Sequence, residues 1–261
     1  MLVIDTLSPE ARAARFSRIC EDAMRERREN GKDGIGTLAE KWQHQIIKRY
    51  LSEDPNDHEV KLSGTRFVSD VRIGNDIYEV QTGSFRPMQK KIACYLERPE
   101  LTVTVVHPIP KDCWISRIDP DTQKISPRKK SPRHGRAEDL LPELYWLLPH
   151  LGDPRLRFRI LLLEVHDFRL LGQRTKKRAQ QSVKFERIPL TLYEDTELLT
   201  ADDFCRFLPD TLPDVFTVRN FSASTGIRGK DAYSAVRVLS ALGLLSPAEP
   251  IRGAMAFERS R

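Results

Sequence analysis

The sequence predicts an α/β protein: a mixed sheet flanked by helices, followed by a small C-terminal domain of winged-helix pattern. Three observations carry this expectation. RFVSDVRI-GN-DIYEVQT (66–82) has two β-rich runs around Gly74-Asn75, a short-range hairpin signal. LTVTVVHPI (101–109) is an almost continuous apolar run after a helical stretch, which suits a buried strand parallel to a neighbour. Beyond Thr217 the order is short helix, turn, longer helix and strand pair.

Taken in order, residues 9–29 read as a helix of mixed charge with a weak apolar stripe, and ENGKDGIG (29–36) reads as a loop. Thr37 can cap a second helix, in which Leu38, Trp42, Ile46 and Tyr50 recur every four residues as a core stripe and Glu40 lies beside it. Pro55 ends that stretch, and HEVKL forms a short strand before the hairpin.

A symmetric two-residue loop pairs Ile73 with Asp76, Val71 with Tyr78, and Asp70 with Glu79, so paired numbers sum to 149. Side chains alternate along a strand, and Asp70, Glu79 and Gln81 therefore share one face. Opposed Cβ atoms lie roughly 4.5–5.5 Å apart, and like charges there are destabilising. Two such carboxylates need a reason, which a shared divalent cation would supply.

After the hairpin Ser84 can cap a helix with Pro87 in its first turn; Met88, Ile92, Tyr95 and Leu96 face inward, and Gln89, Lys90 and Lys91 lie on the surface. DCWISRID and TQKIS suggest a further hairpin across Pro120-Asp121. PRKKSPRHGR (127–136) then carries Arg128, Lys129, Lys130, Arg133 and Arg136 with no acid, a composition suited to phosphate contact. AEDLLPELYWLL reads as a helix. RFRILLLEVHDF (157–168) and KFERIPLTLYE (184–194) read as long strands joined by a second basic loop with Arg174, Lys176, Lys177 and Arg178.

FLPDTLPDVF (207–216) is punctuated by proline and reads as a linker, giving an N-terminal helical segment (1–35), a main domain (36–206) and a C-terminal domain (207–261). From Thr217 onward there are seven Lys/Arg and three Asp/Glu; Arg228, Lys230 and Arg237 fall on the outward side of the longer helix. A net charge of +6 and a pI near 9.2 favour a polyanionic partner. The four cysteines have no short paired spacing, which argues against a zinc site or a disulfide framework and fits a reducing cytoplasm. No apolar run reaches the roughly 20 residues of a membrane helix, so no membrane partner is expected.

Glu40 on a helix, Asp70 on a strand and Glu79-Val80-Gln81 on the next resemble the PD-(D/E)XK nuclease superfamily. EVQTGSF with its following lysines, HPIP (107–110) and RKKSPRHGR are also similar to an uncharacterised bacterial family with that core and a C-terminal winged helix. The resemblance implies a restriction-endonuclease-like sheet and a DNA endonuclease. In it, Asp70, Glu79 and the Val80 carbonyl hold Mg²⁺ or Mn²⁺, Glu40 completes the shell, and the basic segments contact DNA. The superfamily's third catalytic position is usually Lys and here is Gln81; Lys90 could reach back to that place. A nuclease fold that binds DNA or regulates without cutting, and a protein-interaction subunit, are the alternative readings. A homodimer is also left open.

Overall fold

The computed structural model describes residues 2–29, 42–172 and 182–260; Glu40, Lys176 and Lys177 lie outside the described residues. The architecture is mixed α/β, with a seven-stranded mixed sheet. The elements are α1 (Pro9–Glu29), α2 (Trp42–Leu51), β1 (His58–Lys61), β2 (Val68–Ile73), β3 (Asp76–Val80), α3 (Gln89–Leu96), β4 (Thr102–Ile118) and β5 (Lys129–Lys130). They continue with α4 (Leu141–Leu144), β6 (Leu156–Leu171), β7 (Ser182–Leu198), β8 (Val215–Thr217), α5 (Val218–Thr225), α6 (Lys230–Ala241), β9 (Leu245–Ile251) and β10 (Ala254–Arg259). The sheet order is β1-β2-β3-β4-β6-β7, with β5 paired to β4; β8-β10-β9 form a second, three-stranded sheet. Among the described residues no helix is long and apolar enough to cross a membrane.

The hairpin register is the expected one: Val71 opposes Tyr78, Arg72 opposes Ile77, and Ile73 opposes Asp76, all antiparallel. Gly74 has φ +61°, and Asn75 is not among the positive-φ residues. That combination suits a turn with glycine in the first loop position. β3 then runs parallel to β4, from Asp76↔Thr102 to Val80↔Val106. Val103, Val105 and Val106 are buried, as the apolar run requires.

Three local expectations are corrected. Ser84 does not cap α3: Arg86–Met88 form a 3₁₀ turn around Pro87, and the α-helix begins at Gln89. β4 passes unbroken through Pro108 and Pro110 to Ile118, where separate segments were expected, and only an isolated Ile118↔Ile125 bridge marks the second hairpin. AEDLLPELYWLL is not one helix but 3₁₀ (Ala137–Leu140), α4 and 3₁₀ (Tyr145–His150), interrupted at Pro142 and Pro149, which lack the donors a continuous helix needs.

Contacts group the chain into two units, and they do not divide it at residue 207. The first comprises Met1–Val60, Pro108–Arg136 and Leu161–Asp195. There α1 is a packed helix: Phe16, Ile19 and Cys20 are buried, and the Phe16 ring meets Tyr50 edge-on at 5.3 Å. Its charges are matched, with Arg15 and Arg18 each 2.7 Å from Glu53 and Glu26 2.8 Å from Arg49. In the same unit Gly135 sits against β4, where a Cβ would fall 2.6 Å from the Pro110 carbonyl oxygen. Only glycine permits that approach, and it pins the basic segment to the strand.

The second unit comprises Lys61–His107, Ala137–Ile160 and Thr196–Arg261. Its core gathers Val71, Ile77, Phe85, Ile92, Val105, Leu141, Leu144, Phe216, Phe221 and Leu239. α6 packs on α4 and the 3₁₀ turn after it. Thr217 accepts from the Asn220 N–H in a capping box that opens α5, and Gly226 (φ +75°) closes it in the left-handed conformation. Arg252 and Gly253, both at positive φ, form the tip between β9 and β10.

Candidate functional site

The open end of the β2–β3 hairpin gathers most of the polar chemistry in the second unit. Continuing the observed register places Asp70 opposite Glu79. Asp70 Oδ2 accepts the Val80 N–H at 2.8 Å, so the carboxylate folds over the end of β3 rather than into solvent. Glu79 is buried, with its side chain 5% exposed. The Lys91 ammonium pairs with Glu79 Oε2, and the Tyr95 hydroxyl donates to Oε1 at 2.9 Å. Lys91 and Tyr95 stand one turn apart on α3, which is why both reach the same carboxylate.

Burial is the main reason the Glu79 carboxyl rises from its ordinary range to about 7; the Asp70 charge adds to it, and Lys91 and the hydrogen bonds oppose it. Burial and the Glu79 charge also raise the Tyr95 hydroxyl far above its usual range, so it remains a donor. Near neutral pH this centre therefore changes protonation, with a cation and a fixed donor on one side and a second carboxylate on the other.

Gln81 leaves that face to tie down the chain. Its amide donates to the Ser84 carbonyl at 2.6 Å, its N–H donates to Val106 at 2.9 Å, and its carbonyl accepts from His107 Nδ1 at 2.6 Å. His107 is buried, and desolvation lowers its pKa. It is neutral, and the acceptor at Gln81 assigns the proton to Nδ1. The ring also meets Phe85 edge-on at 5.1 Å. His107 thus holds the end of β3 beside β4.

Among the expected residues, Asp70, Glu79, Val80 and Gln81 come together at this hairpin end. Lys90 does not join them: it is exposed, and its neighbour Lys91 makes the contact. Lys91, expected on the surface, instead turns its ammonium onto Glu79, with its side chain 20% exposed. Gln89, also expected on the surface, donates to the Trp146 carbonyl at 2.6 Å. Lys91, Tyr95 and His107 were missed as site residues. The i, i+4 spacing of Lys91 and Tyr95 was the available signal for two of them.

The basic segment lies in the first unit. Lys129 and Lys130 form β5, opposite Ile115 and Trp114. Arg128 stacks over the Trp114 ring at 4.6 Å, Lys130 pairs with Asp112 at 3.0 Å, and Arg133 and Arg136 are exposed. In the second unit Arg228, Lys230 and Arg237 are exposed, as their outward positions predict, and Arg237 lines a groove with Arg219 and Arg252.

Among the described residues no three His, Cys, Asp or Glu side chains form a metal-sized group. The donor set at the hairpin end is nevertheless of the right chemistry for Mg²⁺, which commonly takes one or two carboxylates and fills its octahedron with water or phosphate oxygens. Mutual repulsion of Asp70 and Glu79, visible in the raised Glu79 pKa, is what a divalent cation would relieve.

No curated protein matches the chain, and no solved structure does. One family model, described as Domain of unknown function (DUF8091), matches residues 41–199. That span takes in the hairpin, α3, β4 and the basic segment. The chain belongs to this family, DUF8091.

Proposed function

We propose that the chain is a Mg²⁺-dependent DNA endonuclease of PD-(D/E)XK type, acting in the cytoplasm. The single observation that supports this best is the opposed pair Asp70 and Glu79, closed on one side by Lys91 and Tyr95. Asp70 and Glu79 would hold the cation, Mn²⁺ serving in place of Mg²⁺, with the Val80 carbonyl as an oxygen ligand. When bound, the metal supplies a lowered pKa for a coordinated water and charge neutralisation at the phosphate. Lys91 takes the place vacated by Gln81: a cation beside the second carboxylate, able to stabilise developing negative charge on the nucleophile. Tyr95 holds Glu79 in one orientation. His107 keeps β3 in register with β4. The Arg128–Arg136 segment would bind phosphates without reading sequence. Residues from Val215 onward are read as a winged helix, with Arg228 and Lys230 at the start of α6 as its phosphate contacts.

The test is Mg²⁺-dependent cleavage of plasmid and branched DNA by wild type and Asp70→Ala. Cleavage by both alike, or by neither, sinks the reading.

A second reading, a nuclease fold that binds DNA without cutting, is favoured by one specific feature. The Gln81 amide is bonded to Ser84, and both Glu79 oxygens already have protein partners. It predicts salt-sensitive DNA binding and no Mg²⁺ heat in calorimetry, with wild type and Asp70→Ala indistinguishable.

A further inference from the structure

Between the N-terminal turn of α5, the outer face of α6 and the β9–β10 hairpin lies a groove of about 930 Å³. Its apolar surface is unusually open: Tyr233 is 64% exposed, Met255 71% and Ile251 38%. Its charged lining consists of Arg219, Arg237 and Arg252, and no acidic or lysine side chain lines it.

These groups are not occupied by the protein's own structure. The side chains of Arg219, Arg237, Arg252 and Tyr233 have no hydrogen bond, ion pair or ring contact among the described residues. Arg15 and Arg18, by contrast, are each matched with Glu53.

We infer that this groove docks a partner protein through a short segment in which apolar side chains are flanked by Asp or Glu. The composition favours a protein over a duplex. Protein interfaces are enriched in Tyr, Met and Arg and depleted in Lys, Asp and Glu, with an apolar centre and a polar rim. Duplex DNA is contacted by strongly polar, positively charged, wet surfaces, to which an exposed Met and Ile contribute little. Three arginines without internal acids call for carboxylates from outside. Met255, flexible and polarisable, suits an adaptable contact, and Tyr233 and the arginines are of the types that dominate binding energy. The inference assigns Arg237 to a carboxylate rather than to a DNA phosphate. It does not rest on the nuclease reading.

The experiment is selection of a displayed random peptide library on the full chain, followed by fluorescence polarisation of the enriched peptides. Enriched peptides carry Asp or Glu around Leu, Ile, Phe or Trp. Their affinity falls about ten-fold or more in Tyr233→Ser and in Arg237→Glu, while Asp70→Ala binds as wild type does. Both groove positions are exposed, and thermal melting verifies that the variants fold. Absence of enrichment, selection of basic or uncharged peptides, or affinities insensitive to the two variants would overturn the inference. So would a labelled DNA duplex that competes for the groove and weakens with the same variants. A dimer in solution that Met255→Ser converts to monomer would overturn it too, by identifying the occupant as a second copy.

Discussion

Charge is concentrated in two contrasting places in the second unit. Around Glu79 every charge has a partner: Lys91 and Tyr95 on its oxygens, and the Val80 N–H on Asp70. In the C-terminal groove three arginines line an open apolar surface with none. The difference follows from burial. A charge taken out of water must be compensated inside the fold, so its neighbours are fixed by folding itself. An exposed guanidinium is solvated at little cost, and the fold places no demand on its surroundings. The first arrangement is tied to stability and pH, and the second is free to serve recognition.

The largest effect expected from the proposed function is that of Asp70→Ala, which should remove Mg²⁺-dependent cleavage of plasmid DNA; the same change deletes the acceptor of the Val80 N–H and the like charge beside Glu79. Next comes Lys91→Met. Removing the cation leaves Glu79 buried against Asp70, and the loss should be about 3 kcal/mol in urea unfolding at pH 8, at the low end for a broken buried pair because Lys91 is partly exposed. A neutral outcome would show that Glu79 is already protonated there, and would erase the contrast.

Glu79→Gln separates charge from shape. The folded pKa of about 7 lies above the ordinary carboxyl value of 4.5, so the folded state holds this proton more tightly than the unfolded state does. The group's contribution to stability is therefore full below about pH 4.5, declines as pH rises through 7, and is flat above. Wild type minus Glu79→Gln, measured by urea unfolding from pH 4.5 to 8.5, should fall by about 3 kcal/mol over that window. By the same linkage, Mg²⁺ affinity and any cleavage should rise through pH 7 as the proton leaves.

Tyr95→Phe keeps the ring and deletes one hydrogen bond to a buried carboxylate, for about 1–2 kcal/mol in the same assay. Smallest of all, Arg237→Ala and Arg252→Ala should alter stability by less than about 0.5 kcal/mol. A larger loss would mean that the groove arginines do hold the fold, and the two regions would no longer differ in kind.

Much of the hairpin was legible in the chain. Gly74-Asn75 between β-rich runs set the register, and period-two alternation did the rest. The parallel run at β4 and the helix, turn, helix, strand-pair order after Thr217 were equally readable, because each depends on residues adjacent in sequence. Lys91 was legible only through its i, i+4 spacing to Tyr95; that both side chains reach Glu79 depends on how α3 packs against β3. The strand through Pro108 and Pro110 was hidden as well, since propensity reads proline as a break, and β4 nonetheless continues to Ile118.

What the sequence determined alone is the local order: the hairpin, its two opposed acids, the apolar strands and the basic stretches. Local sterics and periodicity act over a few residues, and they leave a readable pattern. Only the tertiary structure decided which charges are matched. Glu79 meets Tyr95 sixteen residues on, and Arg18 meets Glu53 thirty-five residues on. Partners that distant are selected by the packing of whole elements, and by the cost of leaving a buried charge alone. That the groove arginines lack partners becomes visible only once α5, α6 and the β9–β10 hairpin are folded around them.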